Sequence, residues 1–277
     1  MKFRSIFRDK AFQGKNIIVT GAGSGIGRCV THELSSLGAN VILIGRNIEK
    51  LRSTSDEIAQ EYNKKPTFFS CDIRDENAVK STVQSALEEC KTIDGLVNNA
   101  GGQFPSPLAD ISLNGWNAVI SNNLTGGFIL SKEVYNQCMK QHGGAIVNIV
   151  ADMWHGMPGM GHSGAARAGM VNFTETAACE WAVSGVRVNA VAPGWIQSSG
   201  FSTYPEAFQE KIKTLSAKVP LQRFGTESEV SAAIVYLLSD AAAFITGTTI
   251  RVDGGVPNAK HTWPLPPHTN STPYDGY

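Results

Sequence analysis

The sequence has no charge imbalance: its 277 residues include 24 Lys and Arg and 24 Asp and Glu, and its formal net charge at pH 7 is zero. A protein that binds nucleic acid or an anionic membrane surface usually carries a basic excess. No run comes near the ~18 consecutive apolar residues that a membrane-spanning helix requires. We therefore expect neither a nucleic-acid partner nor a membrane partner.

Cysteine is scarce and scattered. The five cysteines include no Cys-x-x-Cys pair, so the sequence predicts neither a metal site nor a paired redox motif. An odd, dispersed set is typical of reduced thiols in a cytoplasmic protein. The basic first ten residues are followed by no apolar run, and the last three residues do not resemble a peroxisomal address. We expect a cytoplasmic protein.

Short apolar runs alternate with longer amphipathic stretches. The runs are rich in Val and Ile and mostly lack polar alternation, which is typical of parallel strands buried on both faces. Seven strands are expected at Asn16–Thr20, Val41–Ile44, Thr67–Cys71, Gly95–Asn98, Ala145–Val150, Val186–Val191 and Thr248–Val252. Between them, helices are expected at Gly25–Leu37, Ile48–Tyr62, Glu76–Cys90, Leu113–Gln141, Gly164–Ser184, Pro205–Ser216 and Glu227–Leu238. Asn47 and Thr226 are expected to cap the second and the last of these helices, and Glu229 completes a capping box with Thr226.

This alternation predicts an α/β protein with a single-domain doubly wound (Rossmann) fold, in which helices flank a seven-stranded parallel sheet. The domain is expected to span residues 1–255. Residues 256–277 contain five prolines and no helical period, so they are expected to form an extended C-terminal tail.

A glycine-rich turn follows the first strand and opens the first helix. Residues 20–27 read Thr-Gly-Ala-Gly-Ser-Gly-Ile-Gly. Glycines there allow a tight turn and a close approach of backbone N–H groups to a pyrophosphate, whose charge the helix N-terminus favours. The context predicts a dinucleotide-binding loop that includes Gly21, Ser24, Gly25, Ile26 and Gly27.

The turn resembles the glycine element of the short-chain dehydrogenases/reductases. Further stretches match that family's elements in order and spacing: Asn98-Asn99-Ala100-Gly101, Asn123-Leu124-Thr125-Gly126, Pro193-Gly194 and Val252-Asp253-Gly254-Gly255. The resemblance implies an NAD(P)-dependent oxidoreductase, commonly a homotetramer. It also implies cofactor contacts from Asp72, Ile73, Asn99, Ala100, Gly101, Pro193, Gly194 and Ile196.

The end of the second strand bears on the choice of cofactor. It reads Ile44-Gly45-Arg46-Asn47, with a guanidinium where NAD-type sites have a carboxylate that binds the ribose 2′-hydroxyl. Arg46 is suited to pair with a 2′-phosphate. The sequence therefore predicts NADP(H) in preference to NAD(H).

The catalytic centre departs from the family pattern, which has a serine after the fifth strand and Tyr-x-x-x-Lys at the start of the next helix. Here the serine position holds Val150 or Ala151, and alignment on the downstream Ala-Gly pair matches Ser163 to the tyrosine and Arg167 to the lysine. A serine hydroxyl is a much weaker acid than a phenol. Arginine keeps its proton, although it can still hold the ribose and supply positive charge. The usual proton relay is therefore not expected.

Residues 162–169 resemble the peroxisomal trans-2-enoyl-CoA reductases. Reducing a carbon–carbon double bond conjugated to a thioester requires hydrogen-bond donors for the developing enolate oxygen rather than a strong acid. We predict an NADPH-dependent reductase of an apolar 2-enoyl thioester. Its catalytic residues would be Asn123 and Ser163 as donors to the thioester oxygen, Arg167 as the holder of the ribose, and Asp152 and His162 as candidates for proton transfer.

Two alternatives stay open. The same region resembles bacterial citronellol and citronellal dehydrogenase-like proteins, and a dehydrogenase of acyclic terpenoid alcohols would need a base, which Asp152 paired with His155 or His162 could form. A cofactor-binding protein that has lost catalysis along with the tyrosine and lysine is the other alternative. Ser163 and Asp152 also have purely structural interpretations, as caps of a helix and of a turn.

The expected substrate is a small apolar molecule, either an acyl-CoA or a terpenoid. The segment after the fifth strand is rich in methionine and aromatic residues, whose adaptable side chains suit such a ligand. The residues concerned are Met153, Trp154, Met157, Pro158 and Met160, together with Trp195 after the sixth strand. The stretch Gln197–Lys218 is expected to form a substrate lid, and Lys211, Lys213 and Lys218 within it are candidates for binding a CoA phosphate.

Overall fold

The structure is a computed structural model that describes residues 2–198, 214–259 and 263–277. Its strands are β1 (Asn16–Thr20), β2 (Asn40–Gly45), β3 (Thr67–Ser70), β4 (Gly95–Asn98), β5 (Gly144–Ile149), β6 (Val186–Pro193), β7 (Ile196–Gln197), β8 (Gly225–Thr226) and β9 (Thr249–Val252). Strands β7 and β8 form a short parallel pair. The other seven form one parallel sheet in the order β3-β2-β1-β4-β5-β6-β9.

The helices that connect these strands are α1 (Gly25–Ser36), α2 (Ile48–Tyr62), α3 (Glu76–Cys90), α4 (Leu113–Ile120), α5 (Gly126–Val134), α6 (Lys140–His142), α7 (Gly161–Glu180) and α8 (Glu227–Leu238). Two of them begin with the predicted caps. The Asn47 side chain accepts a hydrogen bond from the Lys50 N–H, and Thr226 forms a reciprocal capping box with Glu229.

Both faces of the large sheet are buried. Along β1, Ile17 and Val19 pack in one apolar cluster with residues of α1 and α8, whereas Ile18 packs in a second cluster with residues of α3, α5 and α7. Successive side chains of a strand point to opposite faces, so helices cover the sheet on both sides. The predicted doubly wound fold with a seven-stranded parallel sheet is confirmed.

The predicted long helix at 113–141 is not a regular α-helix. It is interrupted by two π-helical turns, at Ser121–Thr125 and at Tyr135–Met139. In the first turn the Asn123 side chain donates to the carbonyl oxygen of Val119, four residues earlier, at 2.9 Å. A side-chain donor at that carbonyl competes with the regular backbone ladder and widens the turn.

Helix α7 also differs from its predicted bounds, because it begins three residues before Gly164. The Gly164 N–H bonds to the carbonyl of Met160 at 3.0 Å, which draws Gly161, His162 and Ser163 into the first turn. The predicted helix Pro205–Ser216 falls mostly on residues 199–213, which lie outside the described residues.

The described tail residues, 263–277, contain neither helix nor strand and pack on their own chain. The Arg223 Nε donates to Ser271 Oγ at 2.9 Å, and the Tyr274 N–H donates to Glu229 Oε1 at 3.2 Å. At the end of the chain the Tyr277 ring packs edge-on against Phe3, with 5.1 Å between centroids. The tail thus ties the start of α8 to the N-terminal residues. The division of the chain at residue 255 stays a prediction.

Two structural features bear on partners. In the three described ranges, no helix has the length and the apolar character that crossing a bilayer would require. Within the same ranges, no group of His, Cys, Asp and Glu side chains is arranged to hold a metal ion.

Candidate active site

The candidate site begins where the strand order reverses, between β1 and β4. Loops that leave the carboxyl ends of these two strands run in opposite directions and open a crevice, the usual ligand position in such sheets. The crevice is a cleft of about 500 Å³. Its walls include predicted cofactor residues from four loops: Gly21, Ser24, Arg46, Asp72, Ile73, Ala100 and Gly101. Seven of the fifteen predicted cofactor residues therefore line one cleft.

The glycine turn leaves a cradle that side chains would fill. A Cβ on Gly21 would lie 2.9 Å from Asn99 Nδ2, and the backbone of Gly21 and Gly25 has positive φ values of 63° and 58°. Thr20 Oγ1 holds the facing loop by accepting from the N–H groups of Asn99 and Ala100, each at 2.9 Å. Such a cradle of exposed backbone fits a pyrophosphate. Ile26 and Gly27 follow in the first turn of α1.

The end of the cleft next to the loops after β2 and β3 carries both acidic and basic side chains. Arg74 donates to both carboxylate oxygens of Asp72, and these hydrogen bonds lower the pKa of Asp72 to about 2. The charge of Arg46, which lines the same cleft, contributes in the same direction. Lys50, which the sequence analysis did not single out, also lines the cleft and is exposed. Exposed basic groups at this point suit a 2′-phosphate.

Arg167 is a buried cation, with 9% of its surface exposed. Its Nη1 donates to the carbonyl of Ile149 at 2.5 Å, whereas its Nε has no hydrogen-bond partner within residues 2–198, 214–259 and 263–277. Burial alone lowers the pKa of Arg167 to about 10, so the guanidinium keeps its charge at neutral pH. A Cβ on Gly101 would lie 2.7 Å from Arg167 Nη2. The guanidinium therefore borders the loop that lines the cleft.

Asn123 clamps that same loop. Its Nδ2 donates to the carbonyls of Gly102 at 2.6 Å and Val119 at 2.9 Å, and its Oδ1 accepts from the Gly102 N–H at 3.1 Å. Both amide hydrogens are therefore engaged within the protein. The predicted role of Asn123 as a direct donor to substrate stays a prediction, and the geometry favours a positioning role.

Ser163 and His162 are fully buried at the start of α7. The Ser163 hydroxyl donates to Gln103 Oε1, and the Ser163 N–H donates to His162 Nδ1 at 2.9 Å. The His162 ring packs edge-on against Phe104, with 4.5 Å between centroids. The sequence analysis did not predict Gln103 as a site residue. Its position directly after Gly101 and Gly102, in the loop that follows β4, could have indicated it.

A second cavity of about 370 Å³ lies beside α7. Gln103 and Asp152 contribute its polar side chains, and its other walls include Met157, Pro158, Met160, Pro193, Gly194, Trp195 and Leu215. Four of the six residues predicted to form the substrate pocket therefore line this cavity: Met157, Pro158, Met160 and Trp195. The Trp154 ring instead lies under the guanidinium of Arg251, at 5.5 Å. Ile196 is buried in β7, beside the cavity residue Trp195.

Asp152 is the carboxylate in this cavity. Burial raises the pKa of Asp152, and the nearby charge of Asp253 raises it further, against the opposing effects of Arg251 and His155. A carboxylate whose pKa is raised holds a proton more readily than an ordinary aspartate, which suits it to accept and return one. His155 is exposed and has a positive φ of 67°. Of the lid lysines, Lys211 and Lys213 lie outside the described residues, and Lys218 is exposed.

The fold and the site can be compared with known proteins. A family model described as Enoyl-(Acyl carrier protein) reductase matches residues 21–257. A probable 2,4-dienoyl-CoA reductase of Bacillus subtilis (strain 168) is 36% identical over 244 residues, covering 87% of this chain and 96% of that protein. The peroxisomal 2,4-dienoyl-CoA reductase of Danio rerio is 33% identical, covering 92% and 85%. Among solved structures, a citronellol catabolism dehydrogenase of Pseudomonas aeruginosa PAO1 is 56% identical with a TM-score of 0.83, covering 92% of this chain and 100% of that one.

Proposed function

The chain belongs to the short-chain dehydrogenase/reductase family and is an NAD(P)-dependent oxidoreductase, and from this premise we propose that it interconverts acyclic terpenoid alcohols of the citronellol class with their aldehydes. The observation that carries the proposal is the 56% identity to the citronellol catabolism dehydrogenase, over 92% of the chain. The identity to the dienoyl-CoA reductase is lower, at 36%. The terpenoid alternative therefore takes precedence over the thioester substrate expected first.

The second cavity supports this substrate class. Apolar side chains, among them two methionines, two prolines and a tryptophan, form most of its wall, which suits a branched hydrocarbon chain. Gln103 and Asp152 add a hydrogen-bonding group and a carboxylate. An uncharged alcohol with one polar end matches a wall of this composition.

The cofactor and the side chains of the protein have separate roles in the proposed reaction. When bound, the nicotinamide supplies the two-electron chemistry that interconverts an alcohol and a carbonyl. In our proposal, the Asp152 carboxylate accepts the hydroxyl proton during oxidation and returns it during reduction. The positive charge of Arg167 holds the nicotinamide ribose and favours the oxygen that becomes negative as the proton leaves. The cradle of Gly21 and Gly25 holds the pyrophosphate.

We further propose that NADP(H) is preferred, because Arg46 and Lys50 line the adenosine end of the cleft. Replacing Arg46 with alanine should weaken NADP(H) binding roughly 10- to 100-fold, as expected for the loss of hydrogen bonds to a charged group. Binding of NAD(H) should change little. Titration of both cofactors measures this, with Arg52→Ala on the neighbouring helix α2 as the control, since Arg52 is exposed and lies outside the cleft.

The experiment that tests the main proposal follows NADP⁺ reduction by the purified protein with citronellol. Saturable turnover is expected. A parallel assay follows NADPH oxidation with a medium-chain trans-2-enoyl-CoA. Turnover of the thioester with none of the alcohol would overturn the proposal.

That second outcome would establish the other candidate, reduction of a 2-enoyl thioester. It is favoured by the match to the enoyl reductase family model and by Ser163 and Arg167 at the positions that match the family's tyrosine and lysine. A permanent cation and neutral donors suit a developing enolate.

We also propose a homotetramer, supported by large apolar side chains that one chain leaves exposed, including Phe244, Val183 and Phe128. Sedimentation of the purified protein tests this. The cytoplasmic location stays a prediction.

A further inference from the structure

We propose that Trp195 closes the substrate cavity toward a larger, adjoining cavity and so limits the length of the terpenoid chain that the protein accepts. The substrate cavity is the cavity of about 370 Å³ beside α7, and the adjoining cavity has a volume of about 530 Å³. This inference rests on the proposed function, because it concerns the chain of the alcohol named there. The juxtaposition that carries it is a single tryptophan that contributes to both walls.

The two cavities lie side by side at the carboxyl edge of the sheet. Strand β6 ends at Pro193, in register with Val252 at the end of β9. Pro193 belongs to the wall of the substrate cavity, and Val252 belongs to the wall of the adjoining cavity. The next residues also meet, since a Cβ on Gly194 would lie 2.7 Å from the Cα of Asp253. The boundary between the cavities therefore follows these two strand ends, directly before Trp195.

The backbone holds Trp195 at this boundary from both sides. The Gly194 N–H donates to the carbonyl of Val252 at 2.9 Å, and the Gly225 N–H donates to the carbonyl of Trp195 at 2.9 Å. Ile196, the next residue, is buried in β7. A large, rigid side chain on a fixed backbone limits a cavity more sharply than the flexible methionines of the substrate cavity can.

The adjoining cavity has apolar side chains in its wall. Besides Trp195, they are those of Pro220, Leu221 and Val252. Small-molecule pockets are mostly apolar and measure roughly 300–1,000 Å³, and both cavities lie within that range. A hydrocarbon chain that passed Trp195 would therefore exchange water for apolar surface, which favours a longer substrate.

The charged side chains of the adjoining cavity are paired with one another. Arg223 Nη2 lies 2.6 Å from Glu229 Oε1, and Arg251 Nε lies 3.8 Å from Asp253 Oδ2. All four residues belong to the wall. An anionic ligand would have to compete with these carboxylates for the guanidinium groups, whereas an uncharged chain would not. The composition of the wall thus favours the hydrocarbon end of a terpenoid as its occupant.

The test is Trp195→Ala, assayed with NADP⁺ and with geraniol and farnesol, two acyclic alcohols that share the reacting end and differ by one isoprene unit. The wild-type protein should prefer geraniol. In W195A the ratio of kcat/KM for farnesol to kcat/KM for geraniol should rise about 10-fold or more, because the additional apolar groups gain a place in an apolar pocket. The ratio does not depend on the folded fraction of the protein. Trp195→Leu replaces W195A if that variant does not fold.

The matched control is Trp181→Ala. Trp181 is also half-buried, but its ring stacks on Tyr135 with 4.4 Å between centroids, and it belongs to neither wall. W181A should leave the ratio unchanged. A second variant fills the adjoining cavity from its exposed side. Leu221→Trp enlarges a wall side chain that is 44% exposed, and in the W195A background it should return the ratio toward the wild-type value.

Three results would overturn the inference: a wild-type ratio in W195A, an equal rise in W181A, or a ratio in W195A that the addition of L221W leaves raised. The failure of the proposed function is distinct, because it would appear in the wild-type protein as absence of turnover with citronellol and geraniol. The chain-length ratio would then be measured with trans-2-hexadecenoyl-CoA and trans-2-octenoyl-CoA. An unchanged ratio in W195A would overturn the inference there as well.

Discussion

Arg167 stands out at the scale of single residues. It is a buried guanidinium held through one carbonyl, with Nε unpaired, and burial lowers its pKa. A buried charge without a charged partner costs several kcal/mol of stability, so a protein retains one where its charge is used. The role that fits is electrostatic, beside the nicotinamide ribose and the reacting oxygen.

Replacing Arg167 with Met should therefore lower kcat by about 100-fold or more while leaving the melting temperature unchanged or raising it, because the desolvated charge is removed. Steady-state kinetics and thermal unfolding measure both. Arg187→Met is the matched control, since Arg187 donates to the carbonyls of Leu237 and Ser239 away from the site. That variant should lose stability and keep its kcat. The opposite pattern in R167M, a lower melting temperature with unchanged kcat, would contradict this account.

The pH dependence of the reaction should report Asp152. Its pKa is raised by burial and by Asp253, so the ionised form that accepts a proton develops at a higher pH than for an ordinary aspartate. The rate of alcohol oxidation should rise as the pH increases through that raised pKa. Replacing Asp253 with Asn removes a neighbouring negative charge, lowers the pKa of Asp152 and moves the rising limb to lower pH. A kcat/KM profile that does not move in D253N, or that survives intact in D152N, would exclude Asp152 as the base.

Sequence reasoning predicted cofactor contacts for residues whose position follows from local order, such as Gly21 after a strand and Arg46 at a strand end, and both of them line the cleft. It could not show that Ser163 bonds to Gln103, because the contact joins positions 60 residues apart and depends on how one loop folds. Nor could it show that Arg167 is buried with no charged partner among the described residues, since burial is a property of the assembled core.

At the scale of elements, the π-turn at Ser121–Thr125 links a helix to the site loop. The period of apolar residues predicted a helix there but could not reveal the widened turn, in which Asn123 bonds both to Val119 and to Gly102, 21 residues away. Caps were easier to predict. Asn47 and Thr226 bond within three residues of their own positions.

Replacing Asn123 with Ala should reduce the free energy of unfolding by about 2–3 kcal/mol, because the Gly102 N–H and carbonyl lose their partner. It should also raise KM for the substrate, since the loop that carries Gln103 is no longer clamped. Denaturant unfolding and kinetics measure the two effects. Asn117→Ala, an exposed change on α4, should alter neither. If the free energy of unfolding of N123A falls by the predicted amount while KM is unchanged, Asn123 has a structural role only.

At the scale of the whole molecule, the tail joins the two ends of the described chain. The Gly276 carbonyl accepts from the Arg4 N–H at 2.7 Å, and the Gly276 N–H donates to Ser228 Oγ at 3.0 Å. Composition predicted an extended segment. It could not predict the surface on which that segment packs, because prolines specify backbone shape and not a partner.

Removing residues 271–277 should lower the free energy of unfolding by roughly 2–4 kcal/mol, through several lost hydrogen bonds and the exposure of apolar surface. The affinity for NADP(H) should be unchanged, since the tail bonds to α8 and the N-terminal segment rather than to the cleft residues. Calorimetry and cofactor titration test this. A truncated chain with full stability but weakened NADP(H) binding would mean that the tail supports the cleft.

The most direct test of the central claim uses geranial, a terpenoid that has an aldehyde and a conjugated double bond in one molecule. The purified protein is incubated with geranial and NADPH that carries deuterium at its transferable position, and the product is analysed by NMR. The account predicts deuterium on the carbon that bears the oxygen, in an alcohol that keeps the conjugated double bond. Deuterium on the β carbon of a saturated aldehyde would contradict it and assign the protein to the carbon–carbon double-bond reductases.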